Sequence, residues 1–395
     1  MQMIATNWGQ RTIFRTSCFF FLLRYGEKWF SDPCSRVCSP GWGKWFSDPR
    51  PRLLLLPILL LTGCAGPAWY AQAVSGHMAL MDKRMEISEI LKDDKTDPGL
   101  KQDLKLAMDI RDFAIDRLGL PDNDSYTQFV QTGRHAVTWN IVAVPEFSLE
   151  AKRWCFFIAG CVSYRAYFDQ RSAGRFANKL KEKSFDVSIS PVIAYSTLGW
   201  FSDPLLDTML QYPDEQLAAL IFHELAHQQL YVKGDTAFSE AYAGFVEEMG
   251  VRTWLQSNGR DDRLLRWQSR NAASVQFNTL LQKTRDTLDG IYGAGSSNEE
   301  MRIQKENTFT AMETQYLTLV NEYWNGVDHY QSWFSPKLNN ARLALMNFYR
   351  GGRCAFEKLY ESAEGNLLRF HQLAADRAGL GAEERTAWLE QSCDQ

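Results

Sequence analysis

The pentapeptide His223-Glu224-Leu225-Ala226-His227 constrains this chain more than any other stretch. It lies in a helical run, and an α-helix turns once every 3.6 residues, so positions i and i+4 share a face. Two imidazoles one turn apart can grip a single metal ion. Glu224 stands between them, placed to take a proton from water activated at that ion. Upstream, Pro213, Asp214 and Glu215 suit a helix's first turn. Leu217, Leu220, Ile221 and Leu225 follow at three- and four-residue steps, which predicts a mostly buried helix. Gly234-Asp235 is a turn signal and predicts the helix's end nearby. Two histidines and a glutamate buried together are costly unless paired or metal-bound. The competing reading is a surface helix with two chance histidines.

A catalytic site of this kind needs a third protein ligand and an open fourth position. The next segment, Phe238 to Glu248, supplies carboxylates. Ser239 is a good helix cap, which puts Glu240 in the first turn of a second helix. Ala241 and Ala243 are small enough to let that helix approach the first closely. Glu240 is therefore the expected third ligand. Glu247 lies two turns on along the same face. It is the alternative ligand, or else an acceptor that fixes the free N–H of a ligand histidine. Glu248 reads as a solvated charge.

These residues carry a resemblance. The segment is similar to the Asn-Glu-x-x-Ala element of the gluzincin metallopeptidases, which include thermolysin and the aminopeptidase N-like enzymes. Here Ser239 replaces the usual Asn. Only residues 228–239, twelve of them, separate His227 from Glu240, fewer than in thermolysin, and Glu247 lies closer to that longer spacing. From about Gly63 onward the chain resembles a narrower group, the bacterial predicted-aminopeptidase lipoproteins. The carriers are Leu61-Thr62-Gly63-Cys64, Cys155 with Gly160-Cys161, Tyr164-Arg165, the run Ala194 to Phe201, the pentapeptide itself, and Asn339-Asn340-Ala341 with Tyr349.

The resemblance implies one Zn2+ ion held by His223, His227 and Glu240, with Glu224 as general base in peptide-bond hydrolysis. It also implies a Tyr or His donor for the oxyanion that forms during attack. Tyr349 is the first candidate, being grouped with Asn339-Asn340-Ala341, and Tyr330 and His329 are the others. Zincin peptidases place an edge strand above the metal, where it binds extended peptide through its main chain. Val187 to Leu198 precedes the pentapeptide as such a strand does, so Ala194, Tyr195 and Ser196 are expected along the substrate. The other reading makes Tyr195 and Trp200 core aromatics.

Aminopeptidase action further needs a carboxylate for the substrate's free amine, and Glu247 or another acid could serve. The alternatives are an endopeptidase or cell-wall peptide hydrolase, or a non-enzymatic lipid-anchored binding protein with a structural zinc. A retained Glu224 argues against the last, since a structural site fills all four positions and needs no base.

Arg50-Pro51-Arg52 precedes Leu53 to Leu61, an apolar run too short to span a bilayer comfortably. Residues 50–63 are thus expected to be a lipoprotein signal, and Leu61-Thr62-Gly63-Cys64 resembles a lipobox. Cleavage before Cys64 and lipid on its sulfur would hold the protein on a membrane. Ala65 is not the aspartate that commonly retains such proteins at the inner membrane, which points to the periplasmic face of the outer membrane. Residues 1–49 repeat Lys28 to Pro33 as Lys44 to Pro49, and Trp200 to Pro204 echoes the motif. They read as an extension without a fold, or as sequence upstream of the true start. Of the cysteines left in an exported chain, Cys155 and Cys161 flank a short apolar run with a turn glycine. They form a small-loop disulfide or stay as buried thiols.

The remaining pattern is an α+β fold, mainly α-helical, expected to have a zincin-like core with a small sheet. Helices are predicted from Trp69 to about Leu120 with a break at Asp97-Pro98-Gly99, and from Gly174 to Ser184. Strands are predicted at 136–147, 155–168 and 187–195. Beyond Glu248 the chain reads as nearly all helix: 262–288, a loop at Gly290 to Ser297, Glu299 to about Tyr323, Asn339 to Tyr349 and Glu357 to Ala378. No low-complexity linker divides 64–395. It is expected to be one unit, with 64–260 carrying the core and 261–395 a helical C-terminal part. A net charge of −4 shows no nucleic-acid footprint.

Overall fold

A computed structural model describes residues 66–156, 160–194, 202–344 and 352–391. The elements run α1 (Pro67–Met81), β1 (Met85–Glu86), α2 (Ile87–Lys92), α3 (Pro98–Asp116), β2 (Gln128–Val130), β3 (Thr138–Pro145), β4 (Trp154–Phe156), β5 (Gly160–Val162) and β6 (Arg165–Tyr167). They continue with α4 (Gln170–Lys181), β7 (Phe185–Val192), β8 (Leu205–Leu206), α5 (Asp214–Gln229), α6 (Thr236–Ser257), α7 (Asp261–Gly293) and α8 (Asn298–Thr318). A π-helical turn, Leu319–Tyr323, leads to α9 (Gln331–Phe334), α10 (Asn340–Ala344), α11 (Arg353–Ser362), α12 (Leu367–Ala378) and α13 (Ala382–Gln391).

The helix that carries the two histidines, α5, opens as its sequence demands. Pro213 occupies the N-cap position without a side-chain cap, and Asp214 and Glu215 fill the first turn, where they complement the helix dipole. Arg260 and Arg263 reach Asp214 at 2.9 and 2.7 Å, and Arg263 also reaches Glu215 at 3.2 Å, so the N-terminus is tied to the start of α7. The sequence predicts one buried stripe; instead every residue from Gln216 to His227 is buried. Helix α3 covers one side of α5 and α6 another. Gly250 lets α6 come close: a Cβ there would meet Leu118 Cδ1 at 2.7 Å and Phe222 Cδ2 at 2.8 Å. Ala241 and Ala243 are buried in the same core.

Beside this core, β6-β3-β7 form a small antiparallel sheet with β7 at one edge among the described residues. Both faces of β3 are covered. Ile141 and Ala143 point into the cluster with Ala173 and Ala177 of α4, while Val142 and Val144 pack with Ala341 of α10. Buried polar ties fix α10 to the sheet: Asn340 donates Nδ2 to the Glu146 and Ser148 carbonyls and its N–H to Asp186, which also pairs with Lys305 of α8 at 2.6 Å. Asn340 is thus a structural anchor. Strands β1, β2 and β8 make a second small sheet, and β4 and β5 a hairpin. Cys155 and Cys161 are directly opposed in that hairpin and form a disulfide. Helices α7 and α8 build a separate aromatic cluster around Phe277, Tyr330 and Trp333.

Several boundaries differ from those the pattern predicts. Residues 82–86 leave the helix for a turn and β1. Helix α4 starts at Gln170, because Asp169 accepts the Ser172 N–H and caps it. Helix α7 continues through Gly290 to Gly293, so the predicted loop shrinks to the residues before Asn298. The single helix predicted over 357–378 is two: Glu364 and Gly365 both take positive φ, and Asn366 then caps α12. Helix α13 was not foreseen. It returns over α6, where Arg385 pairs with Asp235 at 2.7 Å and Trp388 packs its ring against Phe238 and Phe356.

Candidate metal centre

His223 and His227 project from one face of α5 with ring centroids 4.7 Å apart and planes nearly perpendicular. Their Nε2 atoms are 3.1 Å apart. Helix α6 brings Glu240 to the same point: its two oxygens lie 3.5 Å from His223 Nε2 and 3.7 Å from His227 Nε2. A tetrahedral ion with bonds of about 2.1 Å holds its ligand atoms roughly 3.4 Å apart. The three observed separations are close to that value, with Glu240 turning one oxygen toward each imidazole. The donor set of two ring nitrogens and a carboxylate fits a divalent ion, and these three residues could hold one.

Glu247 plays a different part from Glu240. It meets the other nitrogen of His223, Nδ1, at 3.0 Å. It thereby fixes the ring and leaves Nε2 pointing at Glu240 and His227. Such a carboxylate behind a ligand histidine sets its tautomer and raises its basicity.

The local chain explains how α6 arrives there. Helix α5 ends at Gln229, earlier than the Gly234-Asp235 turn. Gly234 takes a φ of 88° to reverse the chain. The cap of α6 is Asp235, which accepts the Phe238 N–H at 3.0 Å; Ser239 is not the cap. Ser239 instead donates its hydroxyl to the Asp235 carbonyl and accepts the Val232 N–H, tying the reversal to the helix. Glu240 consequently lies in the second turn of α6, still facing α5.

The electrostatics are those of a cation site. Glu224 and His227 are nearly inaccessible, at 1% and 2% exposure, while the Glu240 side chain keeps 19%. In the metal-free protein burial works against a charged His223, but Glu240 and Glu247 outweigh it and push the imidazole up to about 9. Burial would raise Glu240, yet His223 and His227 hold it well below the usual carboxylate range. The sign follows. His223 has a folded pKa above its ordinary 6.5, so its stabilisation is complete below 6.5 and disappears as pH rises through about 9. Glu240 stabilises above its ordinary 4.5, and that contribution is lost as pH falls. Metal-free protein should therefore melt highest between pH 4.5 and 6.5 and progressively lower toward pH 9. The increment in melting temperature on adding a divalent ion should grow over the same rise, because the ion must displace the His223 proton. Thermal denaturation with and without chelator across that range checks both slopes.

Tyr126 is buried, and its phenol is pushed well up by burial and by the charges of Glu224 and Asp203. No periodicity or motif marks it in a turn cluster almost one hundred residues upstream. Tyr330 and His329 belong elsewhere: Tyr330 stacks on Phe277 and His329 packs beside Trp324 in the α7–α8 cluster. Ala194 is half-buried against the core that includes α5, two residues beyond the end of β7. Tyr195, Ser196, Tyr349 and Cys64 lie outside the described residues.

A family model described as "Putative aminopeptidase" matches residues 68–389. No curated protein and no solved structure matches the chain.

Proposed function

The chain belongs to this family of putative aminopeptidases, and from that premise we propose that it is a zinc-dependent aminopeptidase built on a zincin-like core. The carrying observation is the convergence of His223 Nε2, His227 Nε2 and the Glu240 carboxylate, with Glu224 buried on α5 between the two histidines in sequence. Imidazole and carboxylate donors suit zinc. When bound, such an ion acts as a Lewis acid that acidifies water and polarises a peptide carbonyl. Glu224 accepts the proton of the attacking water and returns it to the leaving amine. Glu247 keeps His223 in its ligating tautomer. Tyr349 is the proposed oxyanion donor; the described chain resumes at Gly352, whose turn packs against Ala241, next to Glu240. The edge of β7 leading into Ala194 to Ser196 is the proposed bed for extended substrate.

Lipid on Cys64 would place the enzyme on a membrane facing the periplasm, most simply at the outer membrane. Among the described residues no helix is long and apolar enough to cross a bilayer. An exported protein also suits the Cys155–Cys161 disulfide.

The test is purified full-length protein with free-amine and amine-blocked peptides, with and without chelator. Stepwise loss of N-terminal residues from free-amine peptides, stopped by chelator and restored by zinc, is expected. Cleavage of blocked peptides would make it an endopeptidase instead. Zinc-loaded protein that cuts neither would reduce the site to a structural one.

A further inference from the structure

The first two turns of α6, which bring Glu240 to the two histidines, rest on α12 and α13. Arg385 of α13 donates Nε to one Asp235 oxygen at 2.7 Å, while the other oxygen caps α6 through the Phe238 N–H at 3.0 Å. The same guanidinium bonds the Ala378 carbonyl at 3.3 Å and the Leu380 carbonyl, where α12 ends. Both partners of the ion pair are largely buried, with side-chain exposures of 10% for Arg385 and 15% for Asp235. Beside it Trp388 packs on Phe238, and Leu389 closes on Gly352, whose turn abuts Ala241. One turn further along, Tyr242 donates its hydroxyl to His371 Nδ1 at 2.7 Å, while His371 Nε2 donates to the Leu118 carbonyl at 2.8 Å.

An exposed ion pair would fix little. A pair this buried is different, because removing one partner strands the other's charge away from water. Asp235 also uses both oxygens, one on α6 and one on α13, so the cap cannot move without straining the tie. Glu240 follows Asp235 by five residues. At a rise of about 1.5 Å per residue, a tilt of about 10° at the cap displaces position 240 by roughly 1 Å. Metal–ligand bonds tolerate only about 0.2 Å. The two histidines do not share this dependence, since α5 is tied at its start to Arg260 and Arg263 of α7.

We propose that Arg385 is a positioning residue for the third ligand: through the Asp235 cap it sets the direction in which α6 leaves the Gly234 reversal, and with it the reach of Glu240 toward the metal. A residue 150 positions beyond Asp235 in sequence thereby tunes metal affinity without touching the ion. The proposal rests on His223, His227 and Glu240 holding a divalent ion, and the experiment keeps the two apart.

Full-length wild type, Arg385→Gln, Asp235→Asn and the double variant are titrated with Zn2+ against a chromophoric chelator. They are also titrated with Co2+, whose visible absorption reports the number and arrangement of its ligands. Both are done at a temperature where every variant is folded. Asparagine still caps a helix, so Asp235→Asn loses the ion pair and keeps the start of α6. Each single variant should bind zinc about tenfold more weakly and change the Co2+ spectrum. The double variant should lose no more than either single, because both remove one tie. Wild-type affinity and spectrum in both singles overturn the proposal even where melting falls, since a purely structural pair would give that result. Additive losses overturn it too, because Arg385 would then act by a route other than Asp235. Should Arg385→Gln fail to fold, Asp235→Asn decides alone by the same criterion. A wild type that takes up neither ion brings down the metal centre and this proposal with it; a wild type that binds, with variants that match it, leaves the centre standing and removes the role of Arg385 alone.

Discussion

Glu224→Gln should keep its metal and lose turnover by a factor on the order of 10³. The substitution is nearly isosteric, so the packing that buries residue 224 on α5 survives. Glutamine cannot accept the proton that attack by water releases. The metal should stay, because the three groups around it are untouched. The Nε2 atoms of His223 and His227 and the carboxylate of Glu240 keep their 3.1, 3.5 and 3.7 Å spacing. Elemental analysis of the variant beside kcat for a free-amine peptide makes the measurement. A full complement of zinc with wild-type turnover would mean that some other group takes the proton.

The part of this site that could be read from the sequence is the part encoded locally. Two histidines four residues apart need only a helix to share a face, and Pro213, Asp214 and Glu215 mark where that helix begins. Glu240 was legible for a second reason: Ala241 and Ala243 announce close packing, and both are buried against α5's core. The cap was misread because Ser239 and Asp235 are both good capping residues. Only the reversal at Gly234 decides between them, and it sets the helix start one turn earlier.

What was not legible depends on contacts distant in sequence. The stripe on α5 gave no hint of burial on every side, because that burial comes from α3 and α6 together. The turn at Asn123-Ser125 is tied to α3 and α5 through Arg111 and Gln228, each set by tertiary packing. The break at Glu364-Gly365 was hidden because Glu364 is ordinarily a good helix former and only its positive φ shows the stop. Helix α13 carries few apolar residues, yet Trp388 and Leu389 close over Phe238 and Gly352. The tail thus covers the helix that carries Glu240.

Removing Glu240 and removing Glu247 should have sharply different effects on metal affinity. Glu240→Ala deletes an oxygen donor from a three-ligand site and leaves only the two imidazoles of α5. Zinc should no longer bind stoichiometrically at micromolar concentration, and activity should fall to background. Glu247→Ala leaves all three donors in place. It removes the acceptor 3.0 Å from His223 Nδ1, so the ring is free to rotate or change tautomer and its nitrogen becomes less basic. A loss of about 10- to 100-fold in affinity is expected, with activity recoverable in excess zinc. The two variants should also part in their metal-free behaviour. Either one lowers the pKa of His223 by removing a carboxylate, so both flatten the decline in stability toward high pH, but only Glu247→Ala should regain a large melting increment when zinc is added. Competition against a chromophoric chelator measures the affinities. If Glu247→Ala emptied the site while Glu240→Ala held its zinc, the two roles would have to be exchanged, and the longer spacing from His227 would be the operative one.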